Sequence, residues 1–179
     1  MRQVEVKAKV HDIDAIKNKL VLLWYFFSPP MFQQDRLYLP NALAYVDIRE
    51  GTIMMRIRNT NGSYSLSLRK NGEHELDNIE REITIDDSEQ AAEMLKYMWY
   101  YQVLEISKVR QKASYNWLTI CLDDVDGLGS FMDVRKTIDA DTVLDIQEQL
   151  VKFLLNFGVN PEDIVHERYD TMVYQQSRM

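Results

Sequence analysis

The N-terminal segment alternates between polar and apolar residues. Between positions 3 and 10, Gln, Glu, Lys and Lys take the odd positions, and Val, Val, Ala and Val take the even ones. Successive side chains of a strand point to opposite faces, so this period of two predicts a strand with one hydrated face and one apolar face.

Seven further segments are predicted to be strands, at residues 33–38, 53–58, 63–69, 79–85, 108–117, 118–123 and 130–138. The polar runs 59–62 and 124–129 separate two pairs of them and contain the Asn, Asp and Gly residues that favour tight hairpin turns. A last strand is expected around Tyr169.

Three helices are predicted between the strands, at about 12–23, 88–98 and 141–157. Asp87 is suited to cap the second, and Gly158 is suited to end the third. A short helix is predicted to begin at Asn160, because Pro161 fits a first helical turn.

These elements predict an α+β fold in a single domain over residues 1–179, since no linker-like stretch divides the chain. Repeated strands with one polar and one apolar face favour a mostly antiparallel sheet closed into a barrel. The barrel would have a polar lumen, and its outside would be covered by helices.

Charge and cysteine content limit the possible functions. The 179 residues include 28 Asp and Glu against 21 Lys and Arg, a net charge of -7. This excess argues against a general nucleic-acid or membrane binder, so an anionic ligand needs a local basic cluster. The single cysteine, Cys121, excludes an internal disulfide and Cys-based zinc sites and fits a cytoplasmic protein. The longest apolar run, 20–27, is too short to span a bilayer.

Cations follow the polar faces of several predicted strands at two-residue spacing. They are Lys7 and Lys9, Arg56 and Arg58, Arg69, and Lys108, Arg110 and Lys112. Arg and Lys are the donors that phosphate oxygens prefer, so rows of them facing one lumen would form a site for a polyanion.

Carboxylates lie on similar faces, at Glu5, Glu80, Glu82, Asp123 and Asp133. Magnesium commonly takes one or two carboxylates together with substrate phosphates, so this combination indicates a metal-bound polyphosphate. The periodicity fits a second interpretation equally well, in which the charged faces are half solvated and carry cross-strand ion pairs.

Ordered motifs along nearly the whole chain resemble the CYTH superfamily. Gln3-x-Glu5-x-Lys7 resembles its ExExK signature, and residues 33–38 and 55–58 resemble its QxDxYF and LRIR strands. Residues 78–82 and 110–115 are similar to RxExE and KxRxxY. Residues 119–135 resemble its long D-x-V-x-x-L-G-x-F-x-E-x-E segment, and residues 160–169 resemble the C-terminal end of archaeal cyclase-like members.

The resemblance implies a triphosphate tunnel metalloenzyme, a group that includes class IV adenylyl cyclases and thiamine triphosphatases. Such a protein is an eight-stranded antiparallel tunnel that binds a nucleotide or another organic triphosphate. It hydrolyses or cyclises the triphosphate with Mg²⁺ or Mn²⁺, through positioning and charge stabilisation.

Site residues follow from the resemblance position by position. The implied metal ligands are Glu5, Asp123 and Asp133, with Glu80 and Glu82 as further carboxylates. The implied triphosphate ligands are Lys7, Arg56, Arg58, Arg69, Arg110 and Lys112, with Lys9 as a weaker one. The implied catalytic residues are Glu5, Lys7, Asp123 and Asp133.

Several positions depart from the family pattern. Gln3 and Arg135 replace two expected carboxylates, and Asn78 replaces an expected arginine. Arg135 is expected to pair with Glu5 or Asp133 and to occupy the space of a metal ion. The alternative function is therefore a catalytically weak module or scaffold that binds polyphosphate or a nucleotide.

Two predicted helix ends carry aromatic residues where family members have Leu-Gly. Leu23-Trp24 and Met98-Trp99 stand there, each followed by further aromatics. Two interpretations remain open: the rings pack against the outside of the barrel, or they form the interface of a homodimer.

Overall fold

The computed structural model describes residues 2–71, 78–115, 117–138 and 143–178. Within these ranges the strands are β1 (Arg2–Lys9), β2 (Met31–Pro40), β3 (Ile53–Thr60), β4 (Ser63–Asn71), β5 (Asn78–Ile85), β6 (Tyr100–Tyr115), β7 (Leu118–Val125), β8 (Gly129–Ile138) and β9 (Ile164–Val165). The helices are α1 (Ile13–Leu22), α2 (Ser88–Tyr97), α3 (Val143–Asn156) and α4 (Tyr169–Gln176). The α+β class is confirmed.

Side-chain capping begins the first two helices where the sequence predicts. The Asp12 carboxylate accepts a hydrogen bond from the Ala15 backbone N–H at 2.9 Å, ahead of α1. Asp87 accepts from the backbone N–H groups of Glu89 and Gln90, both at 2.9 Å, ahead of α2. Each carboxylate thus satisfies donors that a helix start leaves without an intrahelical partner.

The chain divides into two compact units. The first contains residues 1–31 and 109–166, and the second contains residues 32–108 and 167–179. In the first unit, buried side chains of α1 and α3 pack with the apolar faces of β1, β7 and β8. In the second, Tyr38 and Ile57 pack with Ala91, Ala92 and Leu95 of α2. The single-domain organisation stays a prediction.

The described strands form one antiparallel sheet with the order β5-β4-β3-β2-β6-β7-β8-β1-β9. The prediction of a closed eight-stranded barrel is wrong for the described chain, where the sheet has nine strands and β5 and β9 are its two ends. Closure needs a hydrogen-bonded ladder between the terminal strands. The short β9 instead pairs with β1 at Lys7 and Ala8 and takes up part of that edge.

Two predicted strand boundaries are corrected. The strand expected at 108–117 begins earlier, because β6 already starts at Tyr100. The strand expected around Tyr169 is the helix α4. Its Tyr174 ring stacks on Tyr45 with the centroids 4.3 Å apart, a tertiary contact that local sequence does not reveal.

The aromatic ends of α1 and α2 have left-handed backbones. Trp24 has φ of 68° and Trp99 has φ of 61°. A residue with a Cβ in this conformation costs about 1 kcal/mol relative to glycine. These two side chains are largely exposed, Trp24 at 68% and Trp99 at 75%, whereas Tyr25 and Phe27 pack with the core of the first unit. The first of the two interpretations, packing on the outside of the sheet, is therefore wrong for the two tryptophans and holds for Tyr25 and Phe27.

Within the described ranges, no helix is long and apolar enough to cross a lipid bilayer.

Candidate functional site

Six charged residues of the first unit form the β8 cluster, named after the strand at its centre. Its members are Glu5, Lys7, Arg110, Asp123, Asp133 and Arg135. Antiparallel pairing of β1 with β8 places Glu5 opposite Arg135 and Lys7 opposite Asp133. Lys7, Asp123 and Asp133 are buried, so this face is less solvated than the second interpretation of the charge pattern required, but it does carry the cross-strand ion pair between Glu5 and Arg135 that this interpretation expected.

Arg135 bridges two carboxylates. Its Nε lies 3.0 and 3.1 Å from the two oxygens of Asp133 and 3.1 Å from Oε2 of Glu5. Its Nη2 also donates to Asp133. The sequence predicted a pairing with Glu5 or Asp133, and both contacts are present.

Arg110 and Asp123 form a bidentate pair. Nε and Nη2 of Arg110 donate to the two oxygens of Asp123 at 2.6 and 2.5 Å. Asp123 is 0% exposed, and Arg110 Nη2 lies 3.8 Å from Oδ2 of Asp133. Burial lowers the pKa of Arg110, but the hydrogen bonds and charge of Asp123 raise it by more than burial lowers it. The pKa therefore lies above its ordinary value, and Arg110 stays protonated.

The cluster sets the pKa values of its carboxyl groups in opposite directions. Burial raises the pKa of Glu5, and the neighbouring Asp133 raises it more than Arg135 lowers it. Burial also raises the pKa of Asp133, but the charge and hydrogen bonds of Arg135 outweigh it and leave that pKa below its ordinary value. Asp133 is therefore the ionised partner of Arg135.

The predicted metal ligands do not fit a divalent ion as they are arranged. Both oxygens of Asp133 accept from Arg135, and both oxygens of Asp123 accept from Arg110. In the part of the chain that the structure describes, no three Asp, Glu, His or Cys side chains are grouped as metal ligands. The side chains of two departures from the family pattern, Gln3 and Asn78, lie outside the described part.

A second group of charged and polar residues, the β3–β4 cluster, lies in the second unit. Its members are Asp35, Arg56, Arg58, Ser67, Arg69, Glu80, Glu82, Lys108, Arg168 and Asp170. Strand register aligns Arg56 with Ser67 and Ser67 with Glu82 across β3, β4 and β5. Alternation along β3 and β4 brings these groups to one face of the sheet.

Arg58 and Asp35 form a bidentate pair within this cluster. Nε and Nη2 of Arg58 lie 2.6 Å from the two carboxylate oxygens of Asp35. Burial raises the pKa of Asp35, but the hydrogen bonds and charge of Arg58 outweigh it, so the pKa lies below its ordinary value. Asp35 therefore holds a predicted phosphate ligand in a fixed position.

Arg56 is buried and only partly satisfied. Its Nη2 contacts Glu80 and lies 3.2 Å from Glu82. Among the described residues, its Nε and the Ser67 hydroxyl are buried without a hydrogen-bond partner. Glu80 and Glu82, predicted as tunnel carboxylates for a metal, are exposed partners of this arginine, and their role toward a metal stays a prediction.

Five residues of this cluster were not among the predicted site residues. Arg168 donates to Asn71 Oδ1 at 3.1 Å and lies 3.2 Å from Asp170, whose other oxygen is 3.9 Å from Arg69. The other three are Asp35, Ser67 and Lys108. The sequence contained a signal for Arg168 and Asp170, because these two charged residues stand on either side of Tyr169 at two-residue spacing. The strand predicted there gave them no role.

The predicted triphosphate ligands are divided between the two units. Lys7, Lys9, Arg110 and Lys112 belong to the first, and Arg56, Arg58 and Arg69 belong to the second. Lys9 and Lys112 are exposed, whereas the other five are buried or half-buried. Their convergence on one ligand stays a prediction.

Comparison with known proteins gives a consistent result. A model of the CYTH domain matches residues 1–169. A Methanocaldococcus jannaschii protein, provisionally named an adenylate cyclase, is 26% identical over 94% of this chain and 97% of its own. A solved Pyrococcus horikoshii structure has a TM-score of 0.78 at 24% identity, covering 98% of this chain and 99% of that one. A Hippeastrum structure, provisionally described as an adenylyl cyclase with a dominant triphosphatase activity, has a TM-score of 0.68 at 15% identity, covering 99% and 97%.

Proposed function

Because the chain belongs to the CYTH domain family, we propose that it binds an organic triphosphate, such as a nucleoside triphosphate, in the cytoplasm. The reaction that the family resemblance implies is hydrolysis or cyclisation of that triphosphate with Mg²⁺ or Mn²⁺. The provisional adenylate cyclase name of the M. jannaschii relative and the triphosphatase activity ascribed to the Hippeastrum protein support this class of ligand. We propose no nucleic-acid or membrane partner.

The observation that carries the proposal is the unsatisfied donor capacity of the β3–β4 cluster. In the part of the chain that the structure describes, Arg56 Nε and the Ser67 hydroxyl are buried with no hydrogen-bond partner, a costly state that a bound anion would relieve. The cluster holds five cations (Arg56, Arg58, Arg69, Lys108 and Arg168) against four carboxylates (Asp35, Glu80, Glu82 and Asp170), an excess of one positive charge in an acidic protein.

The arrangement suits electrostatic rather than covalent catalysis. Asp35 holds Arg58, and Glu80 and Glu82 hold Arg56, so these guanidinium groups are positioned before a ligand arrives. Phosphoryl transfer needs little else from a protein. The thiol of Cys121 is not suited to be a nucleophile, because it is buried and burial raises its pKa.

Calorimetric titration with inorganic tripolyphosphate and with ATP tests the binding. We expect Arg56→Gln combined with Arg69→Gln to weaken tripolyphosphate binding about 100-fold, because charge-assisted contacts to phosphate are lost. A control with the same change of charge is Arg36→Gln combined with Lys70→Gln, since Arg36 pairs with Glu89 and Lys70 is exposed. Absence of wild-type binding, or an equal loss in the control, would contradict the proposal.

The reaction is tested by incubating wild-type protein with a panel of triphosphates and Mg²⁺ or Mn²⁺. Resolving phosphate, pyrophosphate and cyclic nucleotide separates hydrolysis from cyclisation.

A second candidate function is a binding module or scaffold without turnover. The observation that favours it is the contact of Arg135 with both Glu5 and Asp133, which engages two of the carboxylates proposed to hold the metal. Binding of tripolyphosphate with no product from any member of the panel would identify this function.

We also propose that the protein self-associates through its aromatic helix ends. Leu22, Trp24 and Phe26 form an exposed apolar patch at the end of α1, and Tyr97, Met98 and Trp99 form another at the end of α2. In sedimentation velocity we expect a dimer that Trp24→Gly with Trp99→Gly converts to a monomer, because glycine removes the ring and suits the left-handed backbone. Trp117→Ala, which removes another exposed tryptophan, serves as the control. A wild-type monomer at high concentration would refute the proposal.

A further inference from the structure

We propose that Arg135 is a built-in cation that replaces a divalent metal ion between Glu5 and Asp133, so that the protein binds its triphosphate as the metal-free anion. The part of this inference that concerns the ligand rests on the proposed function. The part that concerns Arg135 rests on the β8 cluster alone.

The first support is the position of the guanidinium group. Arg135 lies directly opposite Glu5 in the pairing of β1 with β8, and its Nε is within 3.1 Å of oxygens of both Glu5 and Asp133. A metal ion shared by these two carboxylates would need the same oxygen lone pairs and the same space. The cation and the metal therefore exclude each other.

The second support is the balance of charge. The β8 cluster contains three carboxylates (Glu5, Asp123 and Asp133) and three cations (Lys7, Arg110 and Arg135), so it is neutral as it stands. A divalent ion would add two positive charges beside Arg135, with Arg110 Nη2 only 3.8 Å from Asp133. Repulsion at such distances in a partly buried site is strong.

The third support is that the replacement is permanent. A guanidinium group keeps its proton at every pH at which the protein is folded, and its covalent attachment makes it independent of free metal concentration. A bound Mg²⁺ lowers the negative charge of a triphosphate and would weaken its attraction to the arginines of the β3–β4 cluster. We therefore expect metal to hinder binding rather than to promote it.

The role of Arg135 is tested by titrating protein alone with Mn²⁺ and following the free ion by electron paramagnetic resonance. We expect no wild-type site up to about 1 mM Mn²⁺, and at least tenfold tighter binding by Arg135→Glu, which gives three neighbouring carboxylates. Lys136→Glu changes the charge equally at the next residue, where Lys136 contacts the Trp117 ring, and should behave like the wild type. Circular dichroism checks that each variant is folded. If Arg135→Glu does not fold, Arg135→Gln takes its place, and its expected Mn²⁺ affinity lies between those of the wild type and Arg135→Glu.

Two results of this titration would overturn the proposal. One is a wild-type Mn²⁺ site that the Arg135 variants do not tighten. The other is the absence of Mn²⁺ binding in every folded Arg135 variant, because Arg135 would then not be what excludes the metal.

The form of the ligand is tested by calorimetry with inorganic tripolyphosphate in EDTA and in excess Mg²⁺. We expect wild-type protein to bind about tenfold more tightly in EDTA. Binding only with Mg²⁺ would overturn this inference and leave the proposed function intact. Binding in neither buffer would overturn the proposed function and the metal-free ligand with it, whereas the Mn²⁺ titration would still decide the role of Arg135.

Discussion

Replacing Asp123 by asparagine is expected to lower the free energy of unfolding by about 3–5 kcal/mol. The substitution conserves the shape of the side chain and removes the charge that faces Arg110. Asp123 is wholly buried, and Arg110 donates to both of its oxygens, so the variant removes the nearest counter-ion of a buried guanidinium and leaves it with Asp133, 3.8 Å away. The loss is larger than the value of the ion pair itself, because the remaining charge stays desolvated.

Urea denaturation followed by circular dichroism measures this loss. Asp124→Asn is the matched control, because Asp124 is the next residue and is exposed, and we expect its effect to stay within about 0.5 kcal/mol. A double variant, Arg110→Met with Asp123→Leu, should recover part of the stability, since it removes both charges together. Equal losses of unfolding free energy in Asp123→Asn and Asp124→Asn would show that the buried pair stabilises the protein no more than an exposed aspartate does.

Replacing Asp35 by asparagine is expected to cost about 3 kcal/mol at neutral pH and to change the acid dependence of stability. The pKa of Asp35 lies below its ordinary value of 3.8 when the protein is folded, because Arg58 outweighs the effect of burial. A lowered pKa contributes stability that is complete above the unfolded pKa and is lost as the pH falls through the folded pKa. The difference between wild type and variant should therefore stay constant from neutral pH to about pH 4 and shrink at lower pH.

Urea denaturation at a series of pH values checks this dependence. Asp86→Asn, at an exposed position in the same unit, should show no such convergence with the wild type. A constant difference between wild type and Asp35→Asn down to pH 2 would mean that Asp35 does not titrate with a lowered pKa.

Local patterns predicted the features of the fold that depend on neighbouring residues. Alternation at positions 3–10 identified β1, and the capping role of Asp87 located the start of α2. The ends of the sheet and the helix at Tyr169 were not predictable in this way. They depend on pairing and stacking between residues far apart in sequence, such as Lys7 with Val165 and Tyr45 with Tyr174.

The candidate site shows the same limit. The motifs selected Arg56 and Arg58, and the alternation of charge selected Arg69, because these residues stand at fixed positions within strands. Alternation could not show which polar side chains are buried. Lys7 and Lys9 share one face of β1 two residues apart, yet Lys7 is 4% exposed and Lys9 is exposed. Burial depends on which residues lie above that face, and this information is spread over the whole chain.

The single cysteine makes the protein suitable for site-specific labelling. Cys121 is buried within β7, and burial raises its pKa, so little reactive thiolate is available to a maleimide reagent. A cysteine introduced at an exposed position, such as Lys112 on β6, would therefore take up a fluorophore or spin label almost alone. The wild-type chain needs no cysteine removal before such an experiment, and the contacts of Cys121 within the first unit stay intact.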